Sequence, residues 1–311
     1  MTAETNHSEN LIRLRSGVSI LALVIGTCWF SRWSFALVVA GLTYFAHMEL
    51  VRLLKASGVN PFEKLTIFLI FFCLGSALFS PFALQVTFGT CVLLVIGAFV
   101  VRDFYGPKIK ATFTDLGGSI LSLVLIGWLA AHVILLRSVD ASDSAFIANL
   151  FGFGKFQLPS LPEIWEGALN NWQEKGFFLT LLSGLTITAN DSISYYAGRA
   201  FGRTRLTQLI SPNKTIKGSL AGMLAGVIVF FLIMWLVGEP YYGLRFPLWY
   251  LIFCAIAINV IAQLGDLAES LMKRSVGFKD SGHLFEGHGG VLDRFDSHLP
   301  SLVFTYYFLA L

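Results

Sequence analysis

Charge is scarce in this sequence: Asp, Glu, Lys and Arg make up 13% of it, against 55% hydrophobic residues. A soluble domain carries about twice that charged fraction, so a soluble α/β enzyme, the next class to consider, is set aside. Cysteine is scarce as well. Cys28, Cys73, Cys91 and Cys254 sit singly inside apolar runs with no CxxC spacing. That pattern argues against a disulfide framework or a structural zinc site and marks all four as small core hydrophobes. The sequence has no internal repeat, no low-complexity segment and no G-x-x-x-x-G-K-[ST] phosphate loop. No nucleic-acid partner is expected.

What the chain has in abundance is long apolar runs, with a mean hydropathy of +0.70. They fall at 15–31, 33–53, 64–80, 83–101, 116–137, 177–199, 219–237, 247–269 and 297–311. Most approach the roughly 20 residues that a helix needs to cross a bilayer. The expected fold is therefore all-α: a polytopic integral membrane protein with about nine transmembrane helices. No small-residue cleavage pattern closes the first run, which reads as a retained anchor. The last run is short, covering about 22 Å at 1.5 Å per residue.

Arg32, Arg137, Lys155, Lys175 and Arg245 fall in alternate connections, and the rest of the 22 Lys and Arg residues fall in the others. That bias predicts an N-in, C-out orientation with the charged loops facing the cytoplasm. Four regions follow: a cytoplasmic tail over 1–14, a five-helix platform over 15–137, an extracytoplasmic loop over 138–176 and a catalytic membrane domain over 177–311. In the loop, "LPEIWEGALNNW" reads as a short amphipathic helix lying on the membrane surface. Within the platform, Glu49 has Arg52 at i+3 on the same helical face, so the expected pairing is a snorkelling ion pair.

The polar groups concentrate after residue 177. Asp191, in "ITANDSISYYAGRAFGRTR", falls about 21 Å along its span and about 9 Å short of the inner face. A carboxylate at that depth is expensive unless it meets a cation, a polar cavity or a partner, and we read it as a ligand for a divalent cation. The following loop, "GRAFGRTRLTQLISPNKTIKGS", combines Gly198, Gly202 and Gly218 with Arg199, Arg203, Arg205, Lys214 and Lys217. Cations beside a span are ordinary anchors, yet the compact Ser211-Pro212…Lys214-Thr215…Gly218 cluster suits phosphate oxygens.

The eighth run ends with Asp266, Glu269, Ser270 and Lys273 at i, i+3, i+4 and i+7, on one helical face. It leads into "FKDSGHLFEGHGGVLDRFDS", where His288-Gly289-Gly290 offers flexible backbone. Asp293 and Asp296 follow, hard oxygen ligands suited to Mg²⁺. His283 and His288 around Glu286 lack the H-E-x-x-H geometry of a zinc site. Carboxylates, cations and glycine-rich backbone on one face of a membrane point to phosphoryl or nucleotidyl transfer to a membrane-held acceptor.

At these residues the sequence resembles the phosphatidate cytidylyltransferase family. The pattern S-x-x-K-R-x-x-x-x-K-D-x-G is met by Ser270, Lys273-Arg274, Lys279-Asp280 and Gly282. The pattern P-x-H-G-G-x-x-D-R-x-D is met by His288-Gly289-Gly290, Asp293-Arg294 and Asp296, with Glu286 where the family usually has proline. "SPNKT" and "QLGDLAES" resemble the family's other motifs. Ile216-Lys217 stands where many members have Trp-Glu.

The resemblance implies that CTP and phosphatidic acid give CDP-diacylglycerol and pyrophosphate with Mg²⁺, using one or two cations, in a homodimer. The implied setting is the bilayer of a cell (inner or plasma) membrane, with the active site on its cytoplasmic face. On this reading Asp266, Asp293, Asp296, Lys273 and Arg274 are catalytic. Arg199, Ser211, Lys214, Thr215, Ser270, Lys279, His288, Gly289, Gly290 and Arg294 bind substrate. Asp191, Asp266, Asp280, Asp293 and Asp296 hold metal. The alternatives are a CTP-dependent polyprenol or other lipid kinase, a CDP-archaeol-type synthase and, from a different class, an ion-coupled transporter.

Overall fold

The computed structural model describes residues 22–105, 112–139, 174–282, 284 and 289–311. The expected tail over 1–14, most of the 138–176 loop, and His283, Glu286 and His288 lie outside the described residues. In the described chain α1 covers residues 22–30. It is followed by α2 (Arg32–Ala56), α3 (Glu63–Ala77), α4 (Pro81–Tyr105) and α5 (Thr112–Arg137). Then come α6 (Lys175–Phe201), α7 (Ile216–Tyr242), α8 (Leu248–Ser275), the single turn α9 (Leu292–Phe295) and α10 (His298–Thr305). A π-helical turn at Tyr306–Ala310 continues α10, and similar turns interrupt α5 at Leu123–Trp128 and α7 at Met234–Gly238. No sheet forms among the described residues, only isolated bridging such as the antiparallel pair Arg205–Thr215.

As far as they are described, the apolar runs fall on helices, because a backbone inside hydrocarbon must satisfy its own hydrogen bonds. Among the described residues five helices, α2, α4, α5, α7 and α8, are long and apolar enough to cross a bilayer. The 15 residues of α3 reach only about 22 Å. The 27 residues of α6 are long enough, but Asn190, Asp191 and a series of hydroxyl side chains dilute its apolar character. Large apolar side chains such as Phe82, Leu93, Trp235 and Trp249 are exposed, as on a lipid-facing surface. This is a membrane protein.

The helices sort into two compact units. Among the described residues, the first comprises 22–23, 36–105, 112–132, 266–282, 284 and 289–296. Its core includes Leu50, Ile70, Leu84, Phe99, Leu123 and Ile126, all buried. Asp115 at the start of α5 accepts the Asn60 N–H (2.8 Å) and pairs with Arg102 (3.1 Å). The α2–α3 turn is thereby held against α5. Cys73 and Cys91 are buried and unbonded, their sulfurs 3.8 Å apart, and Cys28 and Cys254 are likewise free and buried. All four behave as the core hydrophobes expected.

The second unit, among the described residues, comprises 24–35, 133–139, 174–265 and 297–311. Its centre is the packing of α6 on α7. A stripe of Gly218, Gly222 and Gly226 faces Ser194 and Asn190 of α6 and Asn259 of α8, and a Cβ on Gly222 would lie 2.4 Å from the Asn190 carbonyl. Small residues at four-residue intervals let membrane helices approach to backbone contact. At the far end of α5 Arg137 is fully buried, donating Nε–H to the Cys28 carbonyl (2.8 Å) and pairing with Glu174. Ser183 of α6 and Thr305 of α10 share a hydrogen bond of 2.7 Å.

Candidate functional site

In the first unit the candidate residues are organised around the C-terminal turn of α8. Glu269 and Lys273, one helical turn apart, form an ion pair, and Lys273 Nζ also reaches Asp293 Oδ1 at 2.5 Å. Glu269 and Lys273 are buried. After the helix, Phe278 N–H returns to the Lys273 carbonyl (2.9 Å) and Arg274 Nη1 donates to the Phe278 carbonyl (3.2 Å). The loop therefore doubles back toward its own helix.

Asp293, on α9, gathers that loop. Its Oδ2 accepts the Ser281 N–H (3.0 Å) and the Gly290 N–H (2.8 Å). Gly289 beside it has φ +82°, and a Cβ there would lie 2.6 Å from Asp293 Oδ2. Only glycine accepts both that conformation and that approach. Burial alone would push the Asp293 carboxyl up. Contacts with Glu269, Lys273 and the Gly290 N–H outweigh it and hold the group at about 2. Lys279, Asp280, Arg274 and Arg294 are exposed, whereas Ser270, Asp266 and Asp296 are half-buried.

The expected pairing of Glu49 with Arg52 does not form. Arg52 lies over the Phe278 ring, 5.2 Å from its centroid, while buried Glu49 accepts hydrogen bonds from Ser281, Val291 and Leu292. Helical spacing correctly put the two residues on one face, but stronger donors reach Glu49 from distant parts of the chain. Glu49, Glu269 and Ser281 belong to this arrangement and are absent from the set expected to carry the chemistry. The only sequence signal for Glu49 was a carboxylate inside an apolar run.

In the second unit Asp191 lies on α6, half-buried, and accepts hydrogen bonds from Ser297 Oγ (3.1 Å) and Asn190 Nδ2 (3.3 Å). Asn190 in turn accepts from Gln263 Nε2 (2.9 Å), and Gln263 bonds to both the hydroxyl and the carbonyl of Ser219. A polar chain thus joins α6, α7 and α8.

The Ser211–Thr215 loop closes on itself through Lys214 N–H to the Ser211 carbonyl (3.1 Å) and Leu206 N–H to the Lys214 carbonyl (2.7 Å). Thr215 caps α7 by accepting the Gly218 N–H (3.2 Å), and its hydroxyl lies against Gly198 and Gly202. These glycines thus allow close approach. Arg199 is exposed, while Ser211, Lys214 and Thr215 are half-buried.

The donor chemistry, aspartate oxygens, suits a hard cation such as Mg²⁺. Among the described residues no group of three or more His, Cys, Asp or Glu is placed to hold a metal ion. Mg²⁺ ordinarily takes one or two carboxylates, water and substrate phosphates instead of an all-protein cage, so the donor set fits a cation that arrives with a nucleotide. Asp293 already has both oxygens engaged.

With this geometry in hand, comparison with known proteins is decisive. The model of the cytidylyltransferase family matches residues 11–311, and the chain belongs to that family. It is therefore an enzyme of the nucleotidyltransferase class. The chain is 33% identical over 299 residues to the phosphatidate cytidylyltransferase of Synechocystis, covering 96% of each chain. It is 29% identical over 264 residues to the enzyme of that name from Haemophilus influenzae, covering 74% of this chain and 91% of the relative. Similarity to the Bacillus subtilis phosphatidate cytidylyltransferase is 35% over 175 residues, covering 54% of this chain and 63% of that one.

Proposed function

We propose that this protein transfers the cytidylyl group of CTP to phosphatidic acid, releasing pyrophosphate and forming CDP-diacylglycerol for phospholipid synthesis. The observation that carries the reading is the joining of the signature residues Lys273, Gly290 and Asp293, through Ser281 between them, into one hydrogen-bonded arrangement, in a chain similar along 96% of its length to a phosphatidate cytidylyltransferase. In the reaction a phosphate oxygen of the lipid attacks the α-phosphorus of CTP, and the bond to the β-phosphate breaks. No protein nucleophile is required, because the acceptor phosphate already supplies one.

In this reading Lys273 and Arg274, with Lys214, Lys279, Arg199 and Arg294, neutralise the triphosphate and the lipid phosphate. Ser211, Thr215, Ser270, His288 and the Gly289-Gly290 backbone orient phosphate oxygens. One or two Mg²⁺ ions would be drawn from Asp191, Asp266, Asp280, Asp293 and Asp296, supplying charge neutralisation at the phosphates. Asp293 would join by giving up its bond to Lys273. The wider reading is a nine-span, N-in, C-out protein of the cell membrane, working on its cytoplasmic face as a homodimer. The Lys and Arg distribution supports the orientation.

Purified protein incubated with CTP, Mg²⁺ and phosphatidic acid tests the reaction by pyrophosphate release and by the lipid product. A phosphorylated lipid with CDP would identify a CTP-dependent kinase. A CDP-lipid formed only with ether-lipid acceptors would identify a CDP-archaeol-type synthase. Anion uptake by proteoliposomes without CTP turnover would identify a transporter.

A further inference from the structure

Glu49 belongs to α2, far in sequence from every signature residue, yet all three hydrogen bonds its carboxylate accepts come from the signature segment. Ser281 Oγ donates to Oε2 (2.8 Å), Leu292 N–H to Oε2 (2.8 Å) and Val291 N–H to Oε1 (2.9 Å). The loop backbone is shaped around it. A Cβ on Gly282 would lie 2.2 Å from Glu49 Oε1, and a Cβ on Gly290 would lie 2.3 Å from Oε2. Side chains at those positions would occupy the space the carboxylate fills.

Two of these residues are shared with Asp293. Ser281 gives its hydroxyl to Glu49 and its N–H to Asp293 (3.0 Å). Gly290 gives its N–H to Asp293 (2.8 Å) while its Cα faces Glu49. Ser281 and Gly290 are thus pinned between one carboxylate from the N-terminal helices and the Asp293 carboxylate.

We propose that Glu49 is a positioning residue for cytidylyl transfer, holding Ser281 and Gly290–Leu292 in the register that sets Asp293 and Lys273. This rests on the transfer reaction proposed above. A carboxylate is the group the position demands: all three partners are donors, and a glutamine would aim its own N–H₂ at one or more of them. A buried donor left without an acceptor is penalised more than a hydrogen bond is worth when made.

The test uses the full-length protein in detergent, unmodified and as Glu49→Gln, Gly290→Ala and the double variant Glu49→Ala/Gly290→Ala. Glu49→Gln is expected to lower kcat by about 100-fold, the scale of a small misplacement of reacting groups, with a much smaller change in KM for CTP. Hydrogen–deuterium exchange should accelerate at the Ser281, Val291 and Leu292 amides while α3 and α4 keep their protection, which separates local positioning from general loosening. Gly290→Ala should cost activity in the presence of Glu49 and cost little more once Glu49→Ala has removed the carboxylate and freed the Ser281 hydroxyl, 2.4 Å from the same Cβ, to turn aside.

Unchanged kcat with unchanged exchange at Val291 and Leu292 in Glu49→Gln would overturn the proposal, as would losses that simply multiply in the double variant. Absence of turnover by the unmodified protein would overturn the reaction assignment. The exchange measurement would then still decide whether Glu49 holds the loop.

Discussion

At the scale of single residues, Lys273 is the charge on which its neighbours depend. It is buried between Glu269 and Asp293. Lys273→Met leaves two carboxylates without their cation, and removing one partner of a buried ionic group typically costs about 3–5 kcal/mol. A lower melting temperature in detergent, together with lost turnover, is the expected result. Asp296→Asn is expected to differ: half-buried Asp296 should be needed for turnover while the protein stays folded, so activity disappears and the melting temperature holds.

Asp293 makes a pH-dependent contribution. Its carboxyl is held at about 2, below the ordinary 3.8. Because the folded value is depressed, the stabilisation is complete above the unfolded value and is lost as pH falls through the folded one. The difference in melting temperature between the unmodified protein and Asp293→Asn should be constant from pH 5 to 8 and should narrow between about pH 4 and 2. The charges at Lys273 and Asp293 were legible as a motif. That they bind each other was not, since their separation along the chain says nothing about a loop that folds back. Glu49 was misread for the same reason: helical spacing ranks neighbours within four residues, and its true partners lie 232 to 243 residues away.

At the scale of elements, the packing of α6 on α7 is decided by what a glycine lacks. Gly→Ala within a helix ordinarily gains about 1 kcal/mol from propensity. At Gly222 the added methyl would meet the Asn190 carbonyl at 2.4 Å, and backbone cannot swing aside. Overpacking costs typically about 1–3 kcal/mol, so Gly222→Ala should lower the melting temperature. Gly41→Ala on α2 meets nothing within 4 Å and should leave it unchanged or raise it. Of this stripe only Gly218 drew notice in the sequence, because it borders a charged loop. Gly222 and Gly226 sit inside an apolar run, where a four-residue interval of glycine is easily taken for filler. The apolar runs themselves were legible as helices because hydrocarbon offers the backbone no alternative. Which of them cross fully was less so, as the shortness of α3 and the polar content of α6 illustrate.

For the molecule as a whole, orientation is the property most open to direct test. All four native cysteines are buried, so single cysteines introduced at exposed positions report with little background. Leu209 and Tyr241 are 90% and 70% exposed, the first in the connection before α7 and the second in the last turn of α7. A membrane-impermeant maleimide applied to right-side-out cells should label Tyr241→Cys and spare Leu209→Cys until the membrane is opened. The reverse pattern would invert the orientation proposed from the distribution of Lys and Arg.

The long reach of Glu49 also sets a timetable for biogenesis. Its hydrogen-bonding partners are made 232 to 243 residues later, an interval of roughly 12–50 s at ordinary ribosomal speeds. Throughout that interval a carboxylate carried by an apolar helix awaits its donors. The nascent chain must therefore shelter it, through water, headgroups or an insertion factor, until those donors have been made, and truncation shortly before Val291 would leave it with the Ser281 hydroxyl alone.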